Sequence, residues 1–153
     1  MDEITIRDLK IGDAGWLIQQ HAEAYARDEG FDASFEALVA EVLADFIRRH
    51  DPACERAFIA VRGADRLGSV FCVRQGPDTA KLRLFYLVPE ARGQGIGKAL
   101  IDDAKTRADA LGLWTFQHNT GARRFYEREG FAEAGRTDGA GNDEGLPDIR
   151  YRW

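Results

Sequence analysis

Seven residues in the middle of the chain, Arg92-Gly93-Gln94-Gly95-Ile96-Gly97-Lys98, have types and spacing suited to gripping an anion. Their three glycines leave backbone N–H groups uncovered by side chains. The apolar run Leu84 to Val88 before them stops at Pro89, and the residues from Lys98 to Leu111 favour a helix, so the segment reads as strand, loop, helix. Amides at a helix N-terminus, aided by the positive end of the helix dipole, suit a diphosphate. Three phosphate-binding patterns compete for this loop. A nucleotide P-loop needs Gly, four residues, then Gly-Lys-Ser/Thr; Arg92 stands where the first glycine belongs, and Ala99 replaces the metal-holding hydroxyl. A dinucleotide Gly-x-Gly-x-x-Gly is met by Gly93 and Gly95 but broken by Lys98, and the loop falls well past a first βαβ unit. The pattern Arg/Gln-x-x-Gly-x-Gly is filled by Arg92, Gly95 and Gly97. A plain glycine turn joining a strand to a helix is the bland alternative.

Val88-Pro89 followed by Arg92 to Gly97 resembles the acyl-coenzyme A motif of the GNAT superfamily of N-acetyltransferases. A second block, Asn119-Thr120-Gly121-Ala122-Arg123-Arg124-Phe125-Tyr126-Glu127-Arg128-Glu129-Gly130-Phe131, resembles that superfamily's Asn-x-x-Ala-x-x-x-Tyr-Glu-x-x-Gly-Phe. Glu55 to Leu113 also resembles the acetyltransferase half of bacterial proteins that fuse a MarR-type DNA-binding domain to a GNAT domain; no such DNA-binding half is found here. The resemblance implies an α/β fold of GNAT type: a central mixed, mostly antiparallel sheet with a splayed parallel pair, flanked by about four helices. It implies acetyl-CoA as co-substrate and no metal. By the same resemblance, Phe85, Tyr86 and Leu87 offer backbone to the pantetheine arm. Arg92, Gly93, Gln94, Gly95, Ile96, Gly97 and Lys98 then cradle the pyrophosphate, and Asn119 reaches the arm. Lys98 reads equally well as an exposed helix lysine, and Asn119 as a helix cap.

The implied chemistry is attack of a neutral amine on a thioester, which needs a base, stabilisation of an oxyanion and a proton for the departing sulfur. Tyr126 matches the position that protonates the thiolate; its structural alternative is a half-buried aromatic on a short helix. The two central strands carry Leu82, Leu84, Trp114 and Phe116 where relatives place a glutamate, and none accepts a proton. His118, at a strand end beside Asn119, is the base named here, its alternative being a polar strand terminus. Glu23, Asp28 and Glu29 offer a route through water or are simply solvated. Trp16, Tyr25 and Trp114 line an amine pocket or pack in the core.

The elements that must position these groups follow from periodicity. Ile4 and Ile6 mark a short strand, and Gly12-Asp13 opens a helix with Trp16, Leu17 and Tyr25 that Gly30 breaks. A loop between Tyr25 and Ser34 carries Asp28, Glu29 and Asp32. Ser34 caps a second helix whose face is Phe35, Leu38, Val39, Val42, Leu43, Phe46 and Ile47 and which ends at Asp51-Pro52. Ala57 to Arg62 and Leu67 to Arg74 form a hairpin, and Ala80 to Val88 a strand that becomes apolar on both faces. Ile96, Ala99, Leu100, Ala104, Ala108 and Leu111 form the stripe of a helix closed by Gly112, before a parallel strand over Leu113 to Gln117. Ala122 to Arg128 is a helix and Phe131 to Arg136 a strand. Asp138 to Pro147 is an acidic loop, and Ile149 to Trp153 is the last strand.

With 153 residues, 44% hydrophobic and 31% charged, the chain reads as one domain spanning 1–153, without repeats or linkers. A net charge of −5 without a basic stripe argues against nucleic acid as partner. Cys54 and Cys72 lack metal or redox spacing, and Cys72 reads as a buried small residue. No signal peptide or membrane span is evident, so the expected location is cytoplasmic, with no membrane partner. The amine could be a small molecule, an amino acid or a protein N-terminus, favoured slightly as a cation by the two acidic loops. A homodimer burying a sheet edge is neither favoured nor excluded. Two functions stay open: an acetyl-CoA-dependent N-acetyltransferase working through a ternary complex, and a non-catalytic acyl-CoA-binding or sensing module.

Overall fold

The computed structural model describes residues 3–153. Among these residues, seven strands form one sheet: β1 (Ile4–Asp8), β2 (Arg56–Arg62), β3 (Asp65–Arg74), β4 (Thr79–Leu87), β5 (Ala110–Phe116), β6 (Ala132–Thr137) and β7 (Asp148–Arg152). Their spatial order is β1-β2-β3-β4-β5-β7-β6, and every neighbouring pair is antiparallel except β4 with β5. Helices α1 (Asp13–Glu29) and α2 (Ala33–Arg49) cover one face; α3 (Ile96–Lys105) and α4 (Thr120–Arg128) cover the other. This is the mixed α/β architecture that the sequence predicts.

Alternation along the central strands explains the two layers. In β2, Ala57, Ile59 and Val61 pack with Leu17, Val39, Leu43 and Phe46 of α1 and α2, while Phe58 and Ala60 face Leu100 and Ile101 of α3. A strand covered on both sides is apolar throughout, which is why its pattern is a run rather than an alternation.

Several local expectations are corrected. Asp28 and Glu29 belong to α1, which runs on to Gly30. Asp32, not Ser34, caps α2, its carboxylate accepting from the Ser34 amide at 2.9 Å; a carboxylate is the stronger acceptor for an orphan helix donor. Ile47 lies beyond the cover of the sheet, 50% exposed. The helix after the glycine loop stops at Lys105, and Leu111 and Gly112 are strand residues. Pairing of Leu111 with Ala80 and of Gly112 with Lys81 and Arg152 outweighs the helical spacing of Leu111. Ala99 is exposed, and Ile101 fills the stripe in its place.

Two features of the sheet centre on β4. Its parallel contact with β5 covers only Thr79↔Ala110, Ala80↔Leu111 and Lys81↔Gly112. Beyond Lys81 that edge of β4 has no partner strand among the described residues. On its other edge, the register with β3 shifts between Ser69 and Phe71, placing Leu84 and Phe85 opposite Val70. Leu84 takes a left-handed φ of 50°, costly for a branched side chain, and the buried Ser69 hydroxyl donates to its carbonyl at 2.6 Å. Past Lys81 and Gly112, β4 and β5 continue as strands without pairing to each other, which leaves a cleft between them.

The first turn of α1 is tied down by a buried carboxylate. Asp13 is 0% exposed and accepts from Arg7 (2.7 and 3.1 Å), Arg66 (2.7 Å) and the Lys10 amide (2.6 Å). Burial pushes its carboxyl up, but the guanidiniums and the amide outweigh burial and hold it at about 2.

Candidate active site

The glycine loop leaves β4 through a single 3₁₀ turn at Pro89–Ala91 and enters α3 at Ile96. Gly93 and Gly95 have φ of 76° and 79°, the left-handed region that an L side chain rarely adopts, and a Cβ on either would meet nothing within 4 Å. The loop surface is therefore bare backbone. The Ala99 amide donates to the Gly95 carbonyl at 3.1 Å and starts the helical ladder. Among the described residues, the amides from Gly93 to Lys98 have no protein acceptor. Six free donors at the start of a ten-residue helix have the chemistry to hold an anion.

Side chains around the loop brace it. Gln94 donates to the Glu90 carbonyl at 2.8 Å and accepts from Arg62 at 3.0 Å; Arg92 donates to the Leu87 carbonyl at 3.3 Å. The Lys98 ammonium lies 3.2 Å from Asp102 and 3.3 Å from Glu129, so its charge is already partnered. Gly97 is glycine for a different reason from its neighbours. A Cβ there would stand 3.3 Å from both Leu87 Cδ1 and Phe125 Cζ, so the helix start packs directly on β4 and α4.

That contact joins the loop to Tyr126. The Phe85 ring stacks on Phe125 at 5.5 Å and meets Tyr126 at 5.9 Å. Tyr126 is 6% exposed, and burial, with a smaller push from Tyr25, holds its phenol well above the ordinary value. It is therefore a neutral proton donor across the physiological range. Asn119 caps α4, its Oδ1 accepting from the Ala122 amide at 3.2 Å.

On the opposite face of the cleft, Tyr86 touches α1. Its hydroxyl donates to Gln20 at 3.2 Å, and its ring lies 5.2 Å from His21 and 6.3 Å from Trp16. Tyr25, Phe31, Phe35 and Phe116 continue this aromatic wall, with centroids 4.9 to 6.5 Å apart. Burial first, then the negative charges of Glu144, Glu29 and Asp28, raise the Tyr25 phenol. Trp114 stands apart, 41% exposed.

His118 stacks on Phe116 at 5.7 Å, and its Nε2 pairs with Glu29 Oε1 at 2.6 Å. The structure thus brings His118 and Glu29 together, while Glu23 turns outward to accept from Gln19. The residue overlooked in the sequence is His21. It is 6% exposed, with Nδ1 donating to the Leu17 carbonyl at 2.9 Å. The spacing of Leu17, His21 and Tyr25, four residues apart, is the signal that could have placed it on the inner stripe of α1. Among the described residues no three His, Cys, Asp or Glu side chains converge as metal ligands.

A family model described as an acetyltransferase (GNAT) domain matches residues 53–133. The peptidyl-lysine N-acetyltransferase YjaB of Salmonella typhimurium is 42% identical over 53 residues, 35% of this chain and 37% of that protein. The 5-NmdU N-acetyltransferase of Pseudomonas phage PaMx11 is 38% identical over 80 residues, 50% of this chain and 55% of that one. The matched region thus spans about half or less of each curated relative. A crystal structure of an acetyltransferase from Streptococcus agalactiae superposes with a TM-score of 0.76 at 18% identity, covering 97% of this chain and 96% of that one; at this identity the likeness concerns the fold.

Proposed function

The chain belongs to the GNAT acetyltransferase family, and from that premise we propose that it is an acetyl-CoA-dependent N-acetyltransferase acting on a primary amine. The observation that carries this reading is the run of acceptor-free amides from Gly93 to Lys98, packed through Gly97 and Phe125 onto the element that holds Tyr126. A coenzyme A thioester fits this cradle: the bare amides suit its diphosphate, and the unpaired edge of β4 from Leu82 to Leu87 offers backbone groups to its pantetheine amides. When bound, it supplies an acyl carbonyl activated by a thiol leaving group.

The chain's own residues then have distinct tasks. Amides 93–98 fix the diphosphate end, and β4 directs the arm along the cleft. Tyr126 holds a proton on its hydroxyl for the sulfur as it leaves. The aromatic wall of Tyr25, Phe31, Phe35 and Phe116 excludes water from the acceptor side, while Asp28, Glu29 and Glu144 favour the approach of an ammonium. Neither cysteine is a nucleophile for an acyl-enzyme: Cys54 lies beside Arg74 and Thr79, at the start of β4 and away from the glycine loop that follows its end, and burial pushes the Cys72 thiol up to about 12. Transfer is therefore direct, within a ternary complex.

The test is release of free thiol from acetyl-CoA in the presence of spermidine, a lysine-containing peptide or a peptide with a free N-terminus. Tyr126→Phe is expected to lower kcat by about 100-fold or more while acetyl-CoA affinity by calorimetry changes little. Tight acetyl-CoA binding without thiol release for any amine would instead identify a binding module.

A further inference from the structure

His21 has the surroundings of a base rather than of a structural histidine. It lies on the inner stripe of α1, 6% exposed, with its ring 5.2 Å from Tyr86 and 6.4 Å from Tyr25. A carbonyl only accepts, so the 2.9 Å contact with the Leu17 carbonyl requires the proton to be on Nδ1. In the neutral ring the lone pair is then on Nε2. No hydrogen-bond partner is found for Nε2 among the described residues, yet no fully buried side-chain nitrogen or oxygen is left unpartnered. Nε2 must therefore keep some access to open space, on a ring whose aromatic neighbours are Tyr25 and Tyr86.

Position relative to the reacting end makes this lone pair useful. Phe85 and Tyr86 are consecutive on β4, so their rings point to opposite faces of the sheet. Phe85 meets Tyr126 at 5.9 Å, and Tyr86 meets His21 at 5.2 Å. His21 and Tyr126 thus flank the same two residues from opposite sides, where the edge of β4 lacks a strand partner. We propose that His21 is the general base of the reaction, its Nε2 accepting a proton from the acceptor ammonium while Tyr126 donates one to the sulfur. The inference rests on the acetyltransferase reading above.

The proton balance closes. The ammonium gives one proton to Nε2 and becomes a neutral amine, whose nitrogen–carbon bond replaces the carbon–sulfur bond of the thioester. The sulfur takes the Tyr126 proton. The phenolate is reprotonated by the second proton shed as the amide forms, and the imidazolium returns its proton to solvent.

The electrostatic surroundings favour a neutral, receptive ring. Burial lowers the His21 value from 6.5, only partly opposed by the Leu17 carbonyl. The titratable groups facing it are the phenols of Tyr25 on α1 and Tyr86 on β4. Asp28, Glu29, Glu144, Arg27, Arg92 and Glu90 act on those phenols, whereas His21 answers to its burial and to the Leu17 carbonyl. His118, by contrast, has Nε2 engaged by Glu29.

Two measurements test the proposal. In protein labelled with 15N-histidine, with acetyl-CoA absent, His21 should show a protonated Nδ1 and a bare Nε2 at pH 7, titrating below the ordinary value. In thiol-release assays with spermidine and peptide amines, His21→Gln should lower kcat/KM by about 100-fold and remove the acidic limb of the pH profile, with acetyl-CoA affinity retained. His21→Asn, which can keep the bond to Leu17, should behave alike. Variants that turn over with an unmoved limb overturn the proposal alone, and so does an Nε2–H tautomer, which also decides the matter should both variants fail to fold. A wild type that binds acetyl-CoA but acetylates no amine overturns the enzyme reading and this proposal with it.

Discussion

Replacing Asp13 by asparagine keeps the shape of the side chain and removes the charge that anchors α1. Arg7 and Arg66 would then keep guanidiniums beside a neutral amide, although the Lys10 amide could still donate to it. The folded carboxyl sits at about 2 against an ordinary 3.8. At about 1.4 kcal/mol per pKa unit, the difference amounts to about 2 kcal/mol of stability. Because the folded value is depressed, this contribution is fully present above about pH 5 and is lost as pH falls through the folded value, leaving well under ~1 kcal/mol at pH 2. Urea unfolding of both proteins between pH 7 and pH 2 measures the gap directly, and subtracting one from the other cancels the remaining carboxylates. Wild type should exceed Asp13→Asn by about 2–3 kcal/mol at neutral pH, and the curves should converge in acid. A gap that is constant with pH, or below about 0.5 kcal/mol throughout, would refute the anchoring argument.

Two further substitutions probe the cradle and the cleft. Gly95→Ala adds a methyl that meets no atom within 4 Å but must hold a φ of 79°, so acetyl-CoA affinity by calorimetry should fall up to about tenfold while the melting temperature moves by only a few degrees; unchanged affinity would mean that the loop conformation is not what binds. Ser69→Ala strands the Leu84 carbonyl at the bulge and should lower stability in urea by about 1–2 kcal/mol and weaken acetyl-CoA binding; no change in either would show that the bulge holds itself.

The parts of this site that depend on local rules were legible in the residues. Glycine at 93 and 95 announces left-handed backbone before a helix, and the block from Asn119 to Phe131 announces α4 with Tyr126 on it. What depends on long-range pairing was not. Leu84 carries no mark of a bulge, because leucine is an ordinary strand residue and its φ of 50° is imposed by the register with β3. Leu111 and Gly112 look like a helix end and its cap until the partners of β5 claim them. His21 carries no functional mark in the sequence, because one histidine on an apolar helix face usually signals packing. Only the arrival of Tyr86, sixty-five positions away in sequence, sets it beside the unpaired end of β4.

The central claim is that main-chain amides from Gly93 to Lys98 grip the coenzyme's diphosphate. Amide NMR of the 15N-labelled protein, titrated with acetyl-CoA and separately with acetyl-pantetheine, tests it most directly. Acetyl-CoA should move the resonances of Gly95, Ile96, Gly97 and Lys98 downfield and slow their exchange with water, whereas acetyl-pantetheine, lacking the diphosphate, should leave them in place. Saturable binding of acetyl-CoA that leaves these amides unshifted would contradict the account.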